Sequence, residues 1–280
     1  MKPLRTCLAL LVLLALSGHA RAQRPQNVED LNAEAAGGVT YLELLRQLFP
    51  DARDDEGDAM AAARSSVPVR SLEDGARFKL EAPFEVWSVQ SWRFKSAGLP
   101  HLALLVNTRF KDPADSGGFD TQYTLAVFRP AAPPARLRLV EAVDPQTDRF
   151  VTFPEDLPLV SIGPGRESFW ILCHHHNAGE EFRDYRAVTV SGDSLRWSLK
   201  DLPGLYSSDT CEAKSVQSLE VVPLKAARRG ELPYEFRVET LRWRKRDCEQ
   251  TRGRPDRRGA RVYRAARVRG GALRLRLIRR

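Results

Sequence analysis

From residue 67 onward the chain is written in short apolar or alternating segments, each closed by Gly, Pro, Asp or Ser, and no helical period runs through them. FEVWSVQSW, HLALLVNTRF, QYTLAVFR, ARLRLVEAV, ESFWILCHHH, FRDYRAVTV, SLRWSLK, SVQSLEVV, YEFRVETLRW, ARVYRAARV and ALRLRLI all read as strands. Successive strand side chains point to opposite faces, so alternation marks one buried face and a continuous apolar run marks two. Short polar turns between such segments favour antiparallel neighbours. The expected fold class is all-β.

Internal similarity sharpens that expectation. YRAVTVSGDSLRWSL (185–199) aligns without gaps on YRAARVRGGALRLRL (263–277), and eight of fifteen positions coincide, more than turn chemistry alone requires. Each copy predicts a hairpin around Gly-Asp or Gly-Gly, residues that tolerate positive φ. YTLAVFRPAAPPARLRLV (123–140) is a looser third copy. Each copy follows a further strand (101–110, 167–176, 234–246) and a polar loop, and candidates for a fourth strand are 84–93, 156–162 and 215–223. The prediction is antiparallel meanders in three blade-like repeats, as a partial propeller or a β-sandwich, with one short N-terminal helix.

That helix is VTYLELLRQLFP. Thr40 three residues before Glu43 is a capping-box pattern, Leu42, Leu45 and Phe49 with Leu44 and Leu48 form one apolar stripe, and Pro50 is a stop. Before it, residues 1–22 have a positive n-region (Lys2, Arg5), an apolar stretch too short to span a bilayer, and the small-residue site Ala20-Arg21-Ala22. They read as a secretory signal peptide, which places the protein in a periplasm or outside the cell, with no transmembrane segment. Residues 23–66 read as a flexible leader containing the helix and an acidic linker, DARDDEGDAMAAARSS, whose alanines suggest one more helical turn. An EF-hand reading of the acidic run fails, because Arg53 and Glu56 occupy the third and sixth positions. Residues 67–280 form the all-β domain.

Charge is unevenly distributed. The formal net charge is +8, and loss of the three cations in residues 1–22 leaves +5. Residues 225–280 hold twenty Lys or Arg against six Asp or Glu, net +14, so residues 23–224 carry −9. Eight lysines against thirty-six arginines suggest a GC-rich genome, and the short signal a Gram-negative bacterium. Export removes nucleic acid as a partner, leaving an anionic envelope polymer, such as lipopolysaccharide or an acidic glycan, or another envelope protein. A well-solvated arginine-rich surface is the competing explanation.

Three cysteines follow the signal segment: Cys173, Cys211 and Cys248. The midpoint of the last two falls inside the turn KAARRGELP, so an unbulged hairpin sets Cys211 opposite Cys248 and Val221 opposite Val238. A Cys211–Cys248 disulfide is therefore predicted. A shift in apolar parity between Val238 and Leu241 suggests a bulge that would slip the register. Cys173, among Phe, Ile and Leu, is expected to be buried and inert.

FWILCHHH (169–176) is the densest run of chemistry. Alternation places Phe169, Ile171, Cys173 and His175 on one face and Trp170, Leu172, His174 and His176 on the other, on a strand covered on both sides. His174 and His176 with Glu180, or Glu181, could hold zinc, the candidate cofactor, in a metal-dependent hydrolase. Against this, two ligands from one strand make half a site, the only other histidine beyond the signal segment is His101, HExxH is absent, and a strand end can simply be polar. Acidic pairs (Asp115 with Asp120, Glu180 with Glu181) leave hydrolytic chemistry unsupported, and SIGPGRES fits neither a phosphate loop nor a nucleophile elbow. If the three meanders are equivalent, loops 111–120, 177–181 and 247–259 gather at one rim. That would bring anion-binding candidates Arg252, Arg254, Arg257 and Arg258 near the histidines. The leading expectation is an exported bacterial envelope protein acting as a non-enzymatic binding or assembly module; the alternative is the metal-dependent hydrolase.

Overall fold

A computed structural model describes residues 24–54, 61–96, 98–110, 121–131, 137–145, 150–155, 160–163, 166–177, 180–225, 228, 231–245, 248, 253–268 and 273–279. The segment read as a signal peptide lies outside them. Among the described residues the one helix, α1 (Tyr41–Leu48), begins as its sequence dictates: Glu43 N donates to Thr40 Oγ1 at 3.2 Å and Thr40 N donates to Glu43 Oε2 at 2.8 Å, the reciprocal capping box.

The remaining elements are strands. Near the N-terminus come β1 (Gln26–Asn27), β2 (Glu34–Ala36), β3 (Val39–Thr40), β4 (Arg53–Asp54), β5 (Ala61–Ala63), β6 (Val69–Ser71) and β7 (Arg77–Phe78). They are followed by the long strands β8 (Phe84–Ser96), β9 (Leu99–Phe110), β10 (Thr121–Pro130) and β11 (Leu137–Asp144). A first sheet runs β4-β5-β8-β9-β10-β11-β6-β7, with β1 also on β8, and among the described residues its only parallel pairing is β6–β11. The second half supplies β12 (Phe150–Thr152), β13 (Val160–Gly163), β14 (Arg166–Asn177), β15 (Glu180–Ser191), β16 (Ser194–Asp209), β17 (Ala213–Pro223), β18 (Glu231–Arg244), β19 (Arg257–Arg267) and β20 (Leu273–Arg279). These form a second sheet in which β14 to β20 follow one another as an unbroken antiparallel meander. Neither sheet closes into a barrel, and the result is a sandwich-like all-β fold.

The strand patterns explain the layering. In β9, Leu102, Leu104 and Val106 join the core under α1, while Ala103 and Leu105 face the second sheet. Both faces are covered, which is why HLALLV is continuously apolar. In β8 a bulge at Trp87 reverses the parity. Phe84, Val86 and then Val89 face the helix layer, so that Trp92 and Phe94 reach the inter-sheet core and meet Phe169 of β14 at 6.5 and 5.2 Å between ring centroids. The second sheet curls enough for Trp170 of β14 to meet Phe236 of β18, with ring centroids 6.1 Å apart and three strands between them.

Several expectations are revised. Residues 24–40 are not a loose leader. Val28, Leu31 and Ala35 are buried, Val28 N donates to Val89 O at 2.9 Å, and Leu42 N donates to Leu31 O at 2.7 Å. The apolar face of β8–β10 needs a cover that an eight-residue helix cannot provide alone. Residues 61–63 form strand β5, where a helical turn was expected, because pairing with β8 buries Ala61 and Ala63 beside Phe84. The two repeat segments are both hairpins but differ in register: Ser191 pairs with Ser194 around a two-residue turn, whereas the second hairpin closes at Arg267–Leu273. The second and third repeat units are not separate sheets, since β17 links them into one meander.

Cys211 and Cys248 form the disulfide, with Cα atoms 4.0 Å apart. The hairpin register differs from the expected one. Val221 pairs with Phe236 and Val238 with Leu219, and β17–β18 pair without a bulge over eleven positions. The ladder ends at Lys245 N to Glu212 O (2.8 Å), and the disulfide closes just beyond it. Cys173 is buried in the core.

Candidate functional site

The end of the β14–β15 hairpin holds the histidines. His174 pairs with Arg183, His175 with Phe182, His176 with Glu181 and Asn177 with Glu180. Facing partners share a face, so His174, His176, Glu181 and Arg183 stand on one side and His175, Phe182 and Glu180 on the other. Glu180 is thus turned away from the two histidines proposed to bind metal with it, and its Oε1 accepts from Tyr206 Oη at 3.2 Å. Glu181 is the carboxylate on the histidine face. Its Oε1 lies 3.2 Å from His174 Nε2 and accepts from Arg183 Nε at 2.9 Å. Among the described residues no three His, Cys, Asp or Glu side chains gather as a metal-holding group. The zinc set His174, His176 and Glu180 does not fit the register.

A cavity of about 320 Å³ is lined by Cys173, His175, Phe182, Asp184 and Arg186 of the opposite face together with His174. Its charges are matched internally: Arg186 Nε donates to Asp184 Oδ2 at 2.9 Å, and its guanidinium lies 5.7 Å from the Trp197 ring centroid. His101, the other candidate ligand, is buried in the first sheet and stacked on Phe94.

The rim expected to gather three loops is only partly described, since residues 111–120 lie outside the described residues. Registers do place the other two tips at one end of the second sheet. Asn177, Glu180, Ser208, Ser215, Arg242 and Arg257 form a continuous row across β14 to β19. Four inter-strand spacings along the sheet separate Glu180 from Arg257, and the cavity lined by the histidines and the one lined by the arginines have no residue in common.

The arginine end has its own geometry. Arg252 lies outside the described residues; Arg254, Arg257 and Arg258 are exposed, and Arg258 Nε pairs with Glu239 Oε1 at 3.1 Å. Across β18 and β19, Arg242 pairs with Arg257, Thr240 with Gly259 and Val238 with Arg261. These alternate positions put Arg242, Arg257 and Arg261 on one face around a glycine. They line a cleft of about 390 Å³ together with Thr240, Arg258, Gly259 and Ala260. Nothing lies within 4 Å of where a Cβ on Gly259 would stand, so the floor is open. Among the described residues, no carboxylate pairs with Arg242, Arg257 or Arg261. The surrounding frame is fixed. Asp256 Oδ2 accepts from Arg244 N at 2.5 Å, Trp243 Nε1 donates to Gly253 O at 3.4 Å, and the disulfide ties the β18–β19 connection to the β16–β17 turn.

Of the arginines singled out from the sequence, Arg257 and Arg258 line this cleft; Arg242, Arg261, Thr240 and Gly259 were not singled out. Their only signal is the pairing of β18 with β19 across a twelve-residue connection, and loop length does not specify that register. Comparison with family models, with curated proteins and with solved structures finds no match to this chain.

Proposed function

We propose that the protein is an exported binding module of the bacterial envelope, non-enzymatic, that takes an anionic ligand at the β18–β19 arginine cleft. The observation that carries this reading is the facing pair Arg242–Arg257 with no carboxylate partner among the described residues. Like charges directly opposite on neighbouring strands are destabilising. In three other facing arginine pairs one member is matched by a carboxylate: Arg70, opposite Arg77, with Glu141 (2.7 Å), Arg129, opposite Arg138, with Asp193 (2.6 Å), and Arg264, opposite Arg276, with Glu235 (2.9 Å). An anion would relieve the repulsion, and guanidinium groups grip phosphate or carboxylate bidentately.

The basic C-terminal quarter supports the reading by drawing polyanions toward this end of the sheet. Export is supported by the disulfide and by the N-terminal segment's pattern. Among the described residues no helix is long and apolar enough to cross a membrane. The test is retention on an acidic-glycan or lipopolysaccharide matrix. The triple substitution Arg242→Gln, Arg257→Gln, Arg261→Gln lowers the salt needed for elution; unchanged elution would remove the cleft from the account.

A further inference from the structure

Resting on the cleft as an anion site, we infer that its ligand carries two anionic groups about 13 Å apart, joined by an uncharged unit lying over Gly259; a saccharide phosphorylated at both ends has that chemistry. Arg242 and Arg257 are register partners and close on one anion from both sides. Arg261 stands four residues further along β19 on the same face, which at strand rise is about 13 Å away and suits a second anion. Between them the one further described cation lining the cleft is Arg258, on the opposite strand face and already paired with Glu239 Oε1 at 3.1 Å. The cleft has the Thr240 hydroxyl as a polar contact and, at Gly259, a floor without a side chain. A neutral ring fits there and a third charge would go unmatched. An extended acidic peptide presents same-face carboxylates about 7 Å apart, so its middle one would fall over Gly259.

The test is calorimetric titration of the full chain at one low ionic strength. The probes are inorganic phosphate, a disaccharide phosphorylated at both ends, and a peptide of alternating Glu. The disaccharide binds at least about tenfold tighter than phosphate, a difference of about 1.4 kcal/mol. Arg261→Gln reduces it to the phosphate level. Gly259→Val, which adds bulk into open space, weakens the disaccharide about tenfold or more, with circular dichroism confirming the fold. Gly259→Ala replaces it if the valine variant does not fold. Equal binding of phosphate and disaccharide, indifference to Arg261→Gln, or preference for the peptide overturns the two-anion ligand while leaving an anion site standing. Failure of every probe to bind overturns the anion site as well.

Discussion

His101 has its ring 5.3 Å from Phe94 between centroids, and its Nδ1 lies 2.9 Å from Leu99 O. Burial holds its pKa below the ordinary value, the Leu99 carbonyl opposing and Arg129 reinforcing the shift. The unfolded chain therefore binds this proton at higher pH than the folded one. Stability from the neutral ring is fully present above about pH 6.5 and is lost as pH falls through the lowered folded value. Urea midpoints measured below pH 6.5 should decline, and His101→Gln should flatten that limb. Asp209 and Glu235 are shifted in the same direction. Hydrogen bonds from Lys245 and Arg264 hold their carboxyls below the usual range, so their contribution is present above about pH 4 and lost on further acidification. Single residues were legible where chemistry is local. The Thr40–Glu43 cap and the burial of Cys173 needed no long-range knowledge. The choice between Glu180 and Glu181 was not legible, because it depends on where the hairpin turns between Asn177 and Glu180.

Element by element, the bends carry most of the information that periodicity omits. In β16 the ladder steps from Arg183–Leu205 to Asp184–Pro203, leaving Gly204 as the extra residue. A Cβ there would stand 2.8 Å from Arg183 O and 2.6 Å from the Tyr185 ring. Because a backbone oxygen cannot swing aside, Gly204→Ala should destabilise by about 1–3 kcal/mol, measurable by chemical denaturation. No loss would mean that the strand re-forms without its bulge. Strand positions were largely visible from alternation: 84–93, 156–162 and 215–223 all contain or overlap strands that pair as expected, β8 with β9, β13 with β14 and β17 with β18. Registers were not. The β17–β18 pairing differs by two residues from the register in which the cysteines face each other, since a disulfide can close beyond the end of a ladder as well as across it.

The whole molecule is a helix-and-strand cover, a first sheet and a curled second sheet, with the β15–β16 turn docked on the first sheet. Arg129 pairs with Asp193 at 2.6 Å, and Glu141 Oε2 accepts from Leu195 N at 2.6 Å. Composition and strand pattern announced an all-β fold. The partition into two sheets was hidden, because the repeat predicts equivalent hairpins and says nothing about which neighbours they join. The disulfide has a sequence separation of 37, and removing it with Cys211→Ser and Cys248→Ser should cost about 3–4 kcal/mol in the chain-entropy model, read as a lower denaturation midpoint. An unchanged midpoint would show that the β17–β18 ladder alone fixes this end. The central claim is that β18 and β19 hold three arginines ready for an anion, and anything binding only the folded state raises its melting temperature. The direct measurement is thermal unfolding with and without a polyphosphorylated saccharide. The wild-type chain should melt higher with the ligand, while the chain with Gln at 242, 257 and 261 should not respond. Equal shifts in both proteins would contradict the account.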